Sequence, residues 1–156
     1  MSLKIELAKS SDMLDLFELA NDDDVRKNSF NQEKIEIENH KKWFFEKLND
    51  KNCVFYIARI GGEFAGSVRF DRVQNDSCVA AVQLVKKFRG KGFGSLIIKE
   101  ATTRIVDQKK YVCLAFIKKE NEGSFKSFLK AGYRLIDENH EKSGFKCYLL
   151  EYIITL

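Results

Sequence analysis

The stretch Arg89-Gly90-Lys91-Gly92-Phe93-Gly94 constrains this chain more than any other. It lies between an apolar run over residues 79–85 and a segment where Leu96, Ile97, Ala101 and Ile105 recur at helical spacing. A strand that feeds a glycine turn and then a helix is built to hold phosphate. The turn aims several backbone N–H groups one way, and the helix N-terminus adds partial positive charge. Arg89 and Lys91 place full charges in the same turn. The alternative is a loop whose glycines serve turn geometry alone. Two familiar phosphate loops do not fit. Gly-x-x-x-x-Gly-Lys-Ser/Thr is absent, and Ser95 stands where the dinucleotide spacing Gly-x-Gly-x-x-Gly needs its third glycine.

The rest of the chain bounds what such a turn serves. Its 156 residues fit one domain over 1–156, with no proline, no repeat and no linker. A net charge of +4 comes from lysines scattered among Glu and Asp. That is the pattern of a solvated surface, and it argues against nucleic acid as a partner. No apolar run approaches the roughly 20 residues that span a membrane. Met1-Ser2-Leu3-Lys4 lacks the apolar region of a secretory signal. Cys53, Cys78, Cys113 and Cys147 are far apart, without a Cys-x-x-Cys pair, and three sit in apolar strand-like runs. They read as reduced, buried thiols of a cytoplasmic protein, and no metal site is expected.

Periodicity orders the elements. Residues 4–8 read as a strand, and Ser10 or Ser11 as the cap of a helix carrying Met13, Leu14, Phe17 and Leu19. Asn21-Asp22-Asp23-Asp24 interrupts the pattern, and a polar connector follows to Gln32. Residues 37–48 form a second helix with Trp43, Phe44 and Leu48 on its apolar side. Strands at 54–60 and 65–73 flank the hairpin signal Gly61-Gly62, and Gln74-Asn75-Asp76 turns into a strand at 78–85. After the glycine turn come a helix at 93–108 and a strand at 111–117. Lys118-Lys119-Glu120-Asn121 then leads to a short helix bearing Phe125, Phe128 and Leu129, which Ala131-Gly132 ends. Strands at 133–137 and 145–154 close the chain. The order predicts an α/β (α+β) fold: a mixed, mostly antiparallel sheet with helices on both faces.

This order, with Arg89, Gly92 and Gly94 satisfying Gln/Arg-x-x-Gly-x-Gly/Ala after the fourth strand, resembles the GNAT acetyltransferase family. Downstream, Asn121-x-x-Ser124-x-x-x-Phe128-x-Lys130-x-Gly132-Tyr133 is similar to that family's Asn-x-x-Ala/Ser-x-x-x-Tyr-x-Lys-x-Gly-Phe/Tyr. The resemblance implies acetyl-CoA bound where the fourth and fifth strands splay apart. Backbone groups of Val82, Gln83 and Leu84 would pair with the pantetheine arm, with Leu84 N–H as oxyanion donor. The N–H groups of Arg89, Gly90, Lys91, Gly92, Phe93, Gly94 and Ser95 would take the pyrophosphate. Asn121 would hydrogen-bond the cofactor arm, and Phe128 would pack near the sulfur. Phe125 and Leu129, four residues apart, read as core.

On the acceptor side, several short motifs resemble one branch of the family. They are Asn21-Asp22-Asp23-Asp24-Val25-Arg26, Ser29-Phe30-Asn31, His40-x-x-Trp43-Phe44, Val68-Arg69-Phe70-Asp71 and Ala115-x-Ile117-Lys118-x-Glu120-Asn121. That branch acetylates nucleotide-activated amino sugars, as in pseudaminic- and legionaminic-type sugar biosynthesis. It implies Arg26, Asn31, Trp43 and Arg69 as acceptor contacts, with Arg26 or Arg69 clamping a diphosphate. For either arginine, a surface or strand-pair salt bridge is the competing reading.

The usual acid–base groups are missing. Val79 and Phe116 stand where relatives carry glutamate on the fourth or fifth strand, and Phe128 stands where a tyrosine protonates the thiolate. His40, Ser124, Glu120 and Tyr133 are the candidates to fill the gap. His40 would relay a proton, or serve as a surface or packing histidine. Ser124 would cap or pack its helix, Tyr133 would pack under the sheet, and His140 falls in a polar loop.

Magnitudes narrow the amine. At pH 7 a lysine-like amine loses its proton at about 4–5 kcal/mol, an amine of pKa near 8 at only about 1–1.5 kcal/mol. Amino sugars and N-terminal amines therefore suit this chain better than lysine side chains. The leading expectation is N-acetylation of a nucleotide-linked amino sugar by direct attack in a ternary complex. Acetylation of a protein N-terminus, as in the ribosomal-protein branch, is the second, and a non-catalytic acyl-CoA-binding module the third. A sugar-nucleotide pocket should show aromatic and basic groups near Trp43 and Arg69, a peptide groove an open acidic or apolar cleft. Relatives that dimerise leave a homodimer open.

Overall fold

The computed structural model describes residues 2–74, 76–108 and 112–153. Seven strands form one sheet: β1 Leu3–Leu7, β2 Cys53–Ile60, β3 Glu63–Gln74, β4 Ser77–Leu84, β5 Val112–Lys118, β6 Arg134–Lys142 and β7 Phe145–Ile153. Their spatial order is β1-β2-β3-β4-β5-β7-β6, and every neighbouring pair is antiparallel except β4–β5. The helices are α1 Met13–Ala20, α2 Asp23–Asn28, α3 Ile37–Leu48, α4 Phe93–Gln108 and α5 Glu122–Lys130.

Alternation along β2 places helices on both faces, as expected. Phe55 and Ile57 pack with Leu16 of α1 and Phe44 of α3. Tyr56 and Ala58 turn the other way and join Ile97, Ile98, Ala101 and Ile105 of α4 and Phe128 of α5. The larger cluster also takes Val68, Phe70, Cys78, Ala80, Cys113 and Ala115, so the middle strands are covered on that face.

Three expectations change at element ends. Neither Ser10 nor Ser11 caps a helix. They lie in a 3₁₀ turn, Ser10–Asp12, where the Asp12 carboxylate accepts the Lys9 N–H at 2.8 Å and also an Arg59 bond at 2.9 Å. The polar connector contains α2, whose N-cap is Asp22; its carboxylate accepts the N–H groups of Asp24 and Val25. β6 continues to Lys142, so His140 lies in a strand rather than a loop. Its residues are mostly exposed at the sheet edge, so no apolar alternation betrays it, and pairing with β7 holds it. Tyr111 and Ile154, expected at strand ends, and Asn75, expected in a turn, lie outside the described residues.

Candidate active site

The parallel strands β4 and β5 touch only at Ser77–Val112, Cys78–Cys113 and Val79–Leu114, then part. Which backbone groups face the opening follows from the β3–β4 register. Val85 N–H donates to Ala65 O at 2.8 Å, which makes Gly66 and Leu84 a non-hydrogen-bonded pair. By alternation the main-chain groups of Gln83 turn toward Ser67 of β3, and those of Val82 and Leu84 turn toward the gap. Gln83 thus differs from the expectation that its backbone meets the cofactor arm; only its side chain lines the cleft. The close approach of β3 depends on Gly66, where a Cβ would strike the Gln83 carbonyl oxygen.

Between β4 and α4 the chain makes a 3₁₀ turn, Lys86–Phe88, before the glycines. Gly90 and Gly92 have φ of +72° and +86°, and a Cβ at either would meet nothing within 4 Å. Conformation rather than space demands glycine there. The turn delivers the chain to the start of α4 at Phe93, where the first N–H groups lack helical partners. Ser95 is buried and its hydroxyl donates to Gly92 O at 3.1 Å, closing the turn from inside. Phe93 sends its ring into the core against Phe88, 6.0 Å between centroids. Gly94 packs on α5, where an added Cβ would lie 3.0 Å from Ser127 Oγ.

Arg89 does not serve this turn as the sequence suggested. Its N–H bonds Lys86 O, and its guanidinium turns away to Leu84 O at 2.8 Å and to Asp22 and Asp24 at 3.0 Å each. Lys91 is exposed.

A cleft of about 1160 Å³ joins the β4–β5 gap to a wall built by α2, α3 and the segment between them. That segment is tied to itself. The Asn21 amide spans both backbone groups of Ile35, at 2.8 and 2.9 Å. Arg26 donates to the carbonyls of Ala20, Asn31 and Glu33 and to Ser29 Oγ. Arg26 lines the cleft, yet its donors brace the loop rather than stand ready for a diphosphate. Asn31 does likewise, its Oδ1 accepting Glu33 N–H at 3.0 Å. Outside anchors hold both ends of α2: Arg89 at its start, and at its finish Lys118. Lys118 is fully buried and donates to Lys27 O at 3.1 Å, with its Nζ 3.7 Å from the Phe145 ring centre.

Trp43 and Arg69 meet. The Arg69 guanidinium lies 4.9 Å from the Trp43 ring centre and 5.9 Å from that of Phe55. Its Nε donates to Asp71 at 2.7 Å, and Lys47 bonds the other Asp71 oxygen at 2.7 Å. Burial pushes the Asp71 carboxyl up, but Arg69 and Lys47 outweigh it and hold the group below the usual range. The burial of Cys53 and the same carboxylate push that thiol up to about 12.

The candidate acid–base residues are brought to the cleft unequally. His40 is only 2% exposed, lines the cleft and sits among Phe17, Trp43 and Phe44. Burial lowers its pKa, a backbone bond at Met13 opposing, so the ring is neutral at pH 7. Its Nε2 is the one buried side-chain N or O atom without a hydrogen-bond partner among the described residues. Ser124 lines the cleft and its N–H takes the Asn121 Oδ1 cap at 3.3 Å. Asn121 therefore spends its oxygen on α5. Tyr133 is buried at 2.8 Å from Thr102 Oγ1, its pKa raised by burial, and Glu120 is exposed. Val79, Phe116 and Phe128 all line the cleft, so the positions without ionisable groups face the chemistry. Sequence reading missed Asp24, Phe30 and Lys142 as lining residues. Asp24 and Phe30 stood in the acceptor-side motifs without being named as contacts, whereas Lys142 gave no signal because it ends an exposed strand with no apolar alternation.

Strands that part beside a glycine turn at a helix N-terminus, with Leu84 and Val82 N–H groups open to the gap, fit a CoA thioester and its pyrophosphate. A sheet of this order carrying such a gap defines an acyl-CoA N-acyltransferase fold. Residues 2–134 match the family model described as acetyltransferase (GNAT) domain, and the chain belongs to that family. It is an acetyl-CoA-dependent N-acetyltransferase. Solved structures share the fold at low identity. An α-N-protein acetyltransferase of a ribosomal protein, with coenzyme A, aligns at TM-score 0.85 and 15% identity, covering 99% of this chain and 95% of that one. An aminoglycoside acetyltransferase with coenzyme A and kanamycin aligns at TM-score 0.84 and 14% identity, covering 97% and 95%. The spermidine N-acetyltransferase of Vibrio cholerae, with CoA and spermine, aligns at 0.79 and 13%, covering 96% and 92%. No curated protein matches the sequence.

Proposed function

We propose that this chain transfers the acetyl group of acetyl-CoA to the amine of a nucleotide-linked amino sugar, by direct attack in a ternary complex. The observation that carries the reading is the Trp43–Arg69 stack in the cleft wall, braced by Asp71. It supplies the aromatic and basic surface that a sugar nucleotide needs and a peptide groove does not.

Acetyl-CoA, when bound, supplies an activated acyl group. The N–H groups of Gly90 to Ser95 would hold its pyrophosphate, and the Val82 and Leu84 backbones its arm. Leu84 N–H would donate to the developing oxyanion. Phe128, buried edge-on against Tyr133 at 4.9 Å, would shield the sulfur.

The chain's own residues limit the amine. Both carboxylates in the cleft wall are ion-paired, Asp24 to Arg89 and Asp71 to Arg69 and Lys47. With Val79 and Phe116 apolar, no free carboxylate in the cleft wall takes the proton, which leaves the neutral His40 ring or water. That suits an amine of pKa near 8, which loses its proton for about 1–1.5 kcal/mol, over a lysine at about 4–5 kcal/mol. Ring oxygens lower a sugar amine in this direction.

The test is acetyl-CoA turnover with a UDP-linked amino sugar, kanamycin, a peptide N-terminus and spermidine. We expect the highest kcat/KM for the nucleotide sugar. A peptide preferred by tenfold would move the assignment to the ribosomal-protein type. Binding of acetyl-CoA with no CoA release from any acceptor would leave an acyl-CoA-binding module.

A further inference from the structure

We infer that Lys142 takes the anionic part of the acceptor, a phosphate or diphosphate, and so determines acceptor specificity; the inference rests on the sugar-nucleotide reading above. Five cationic side chains line the cleft: Arg26, Arg69, Arg89, Lys126 and Lys142. Each of the three arginines already has a partner. Arg26 is taken by loop carbonyls, Arg69 gives its Nε to Asp71, and Arg89 is taken by Asp22, Asp24 and Leu84 O. Lys126 stands beside Ser127, against which Gly94 packs, and so belongs to the pyrophosphate end.

Lys142 differs from the three arginines. Among the described residues its side chain makes no ion pair and no hydrogen bond, and unlike Lys126 it lies over aromatic rings. Its Nζ lies 4.5 Å from the ring centre of Phe116 and 5.6 Å from that of Phe30. Aromatic faces hold an ammonium in place without cancelling its charge, whereas a carboxylate partner quenches the field. The position is defined by structure on three sides. Lys142 ends β6 opposite Phe145, just before the turn at Ser143-Gly144, whose φ values are +51° and +81°. Phe30 reaches from the acceptor wall to meet Phe145 edge-on at 6.3 Å. Phe116 comes from β5 and brings no carboxylate to pair with the ammonium, so the charge is left for a ligand.

Trp43 is the chain's one tryptophan and lines the cleft, so its fluorescence reports ligands there. The experiment titrates UDP and inorganic pyrophosphate into protein saturated with coenzyme A, so that the glycine turn is already filled. Trp43 fluorescence and calorimetry are read together, alongside turnover of the UDP-linked amino sugar. We expect Lys142→Gln to weaken UDP about tenfold or more, Lys142→Glu to abolish binding, and Lys142→Arg to stay within about threefold. Lys126→Gln should leave UDP affinity unchanged, and KM for the sugar nucleotide should rise in Lys142→Gln with kcat held. Wild-type UDP affinity or sugar-nucleotide turnover in Lys142→Glu overturns the inference and spares the sugar-nucleotide reading. Lys142-dependent pyrophosphate binding, with no sugar-nucleotide turnover by the wild type, keeps the anion site and overturns the reading. Failure of UDP and pyrophosphate to bind at all overturns both.

Discussion

Arg89 and Asp22 join the cofactor turn to the acceptor wall through one ion pair of 3.0 Å. Arg89 belongs to the glycine turn by sequence, yet its side chain reaches back across the cleft to the N-cap of α2. Asp22 meets it there while also capping that helix. Partial burial pushes the Asp22 carboxyl up, and the Arg89 bond and helix N–H groups outweigh that, leaving it below the usual range.

Arg89→Gln is expected to loosen α2 without emptying the donor site. Acetyl-CoA affinity, measured by calorimetry, should change by less than about fivefold, because the backbone N–H groups hold the pyrophosphate. Hydrogen exchange across residues 22–28 should rise. A double-mutant cycle with Asp22→Asn should give a coupling of about 0.5–1 kcal/mol, since each side chain is 28% exposed. A large loss of acetyl-CoA affinity with unchanged exchange would return Arg89 to the phosphate.

Two glycine substitutions should fail for different reasons. Gly92→Ala forces a left-handed φ on a residue with a Cβ and clear space, costing about 1–2 kcal/mol, with acetyl-CoA affinity reduced. Gly66→Ala drives a Cβ into the Gln83 carbonyl, which is backbone and cannot swing aside. It should destabilise by about 1–3 kcal/mol in urea and displace Leu84, its strand partner.

His40→Phe should reshape the pH dependence of stability. Burial lowers the folded pKa, so the unfolded state binds more protons once pH falls below its value of about 6.5. Wild-type stability should be full above that pH and decline toward the folded pKa, by at most about 1.4 kcal/mol per pH unit. Denaturation between pH 7 and 5 should show a shallower slope in His40→Phe. The same slope in both proteins would remove His40 as the cause.

Asp71→Asn should leave Arg69 and Lys47 without their shared anion and cost about 1–2 kcal/mol in urea at pH 7. The folded carboxyl is depressed, so its contribution is present above an unfolded pKa of about 3.9 and is lost as pH falls through the folded value. The gap between wild type and Asp71→Asn should therefore close in acid. Weaker acceptor binding should accompany it, because Arg69 would no longer be held over Trp43.

Elements with strong periodicity are legible in the amino-acid sequence. The helix at 93–108 and the helix at 37–48 fall where Leu96, Ile97, Ala101, Trp43 and Phe44 place them. The short α2 is not legible, because Asp23-Asp24-Val25-Arg26-Lys27-Asn28 carries no apolar stripe and stands on its Asp22 cap and end anchors. β6 beyond Asp137 is hidden for a similar reason, since it is exposed and held by pairing.

The glycine turn shows where the division falls. Sequence alone determined that a strand, a turn needing left-handed residues and a helix N-terminus follow one another, because those demands are local and only glycine meets them cheaply. It equally determined that Val79, Phe116 and Phe128 carry no proton. Only the tertiary structure decided where each charge went. Arg26, Arg69 and Arg89 looked alike as guanidinium groups available to phosphate, and the fold gave each a partner: loop carbonyls within seven residues for Arg26, Asp71 two residues on for Arg69, and Asp22 and Asp24 across the chain for Arg89. Lys142, silent in sequence, was left with its charge because Phe30, Phe116 and the end of β6 converge there. Side-chain charge acts through whatever lies within a few ångströms, and for Arg89 and Lys142 those neighbours come from distant parts of the chain.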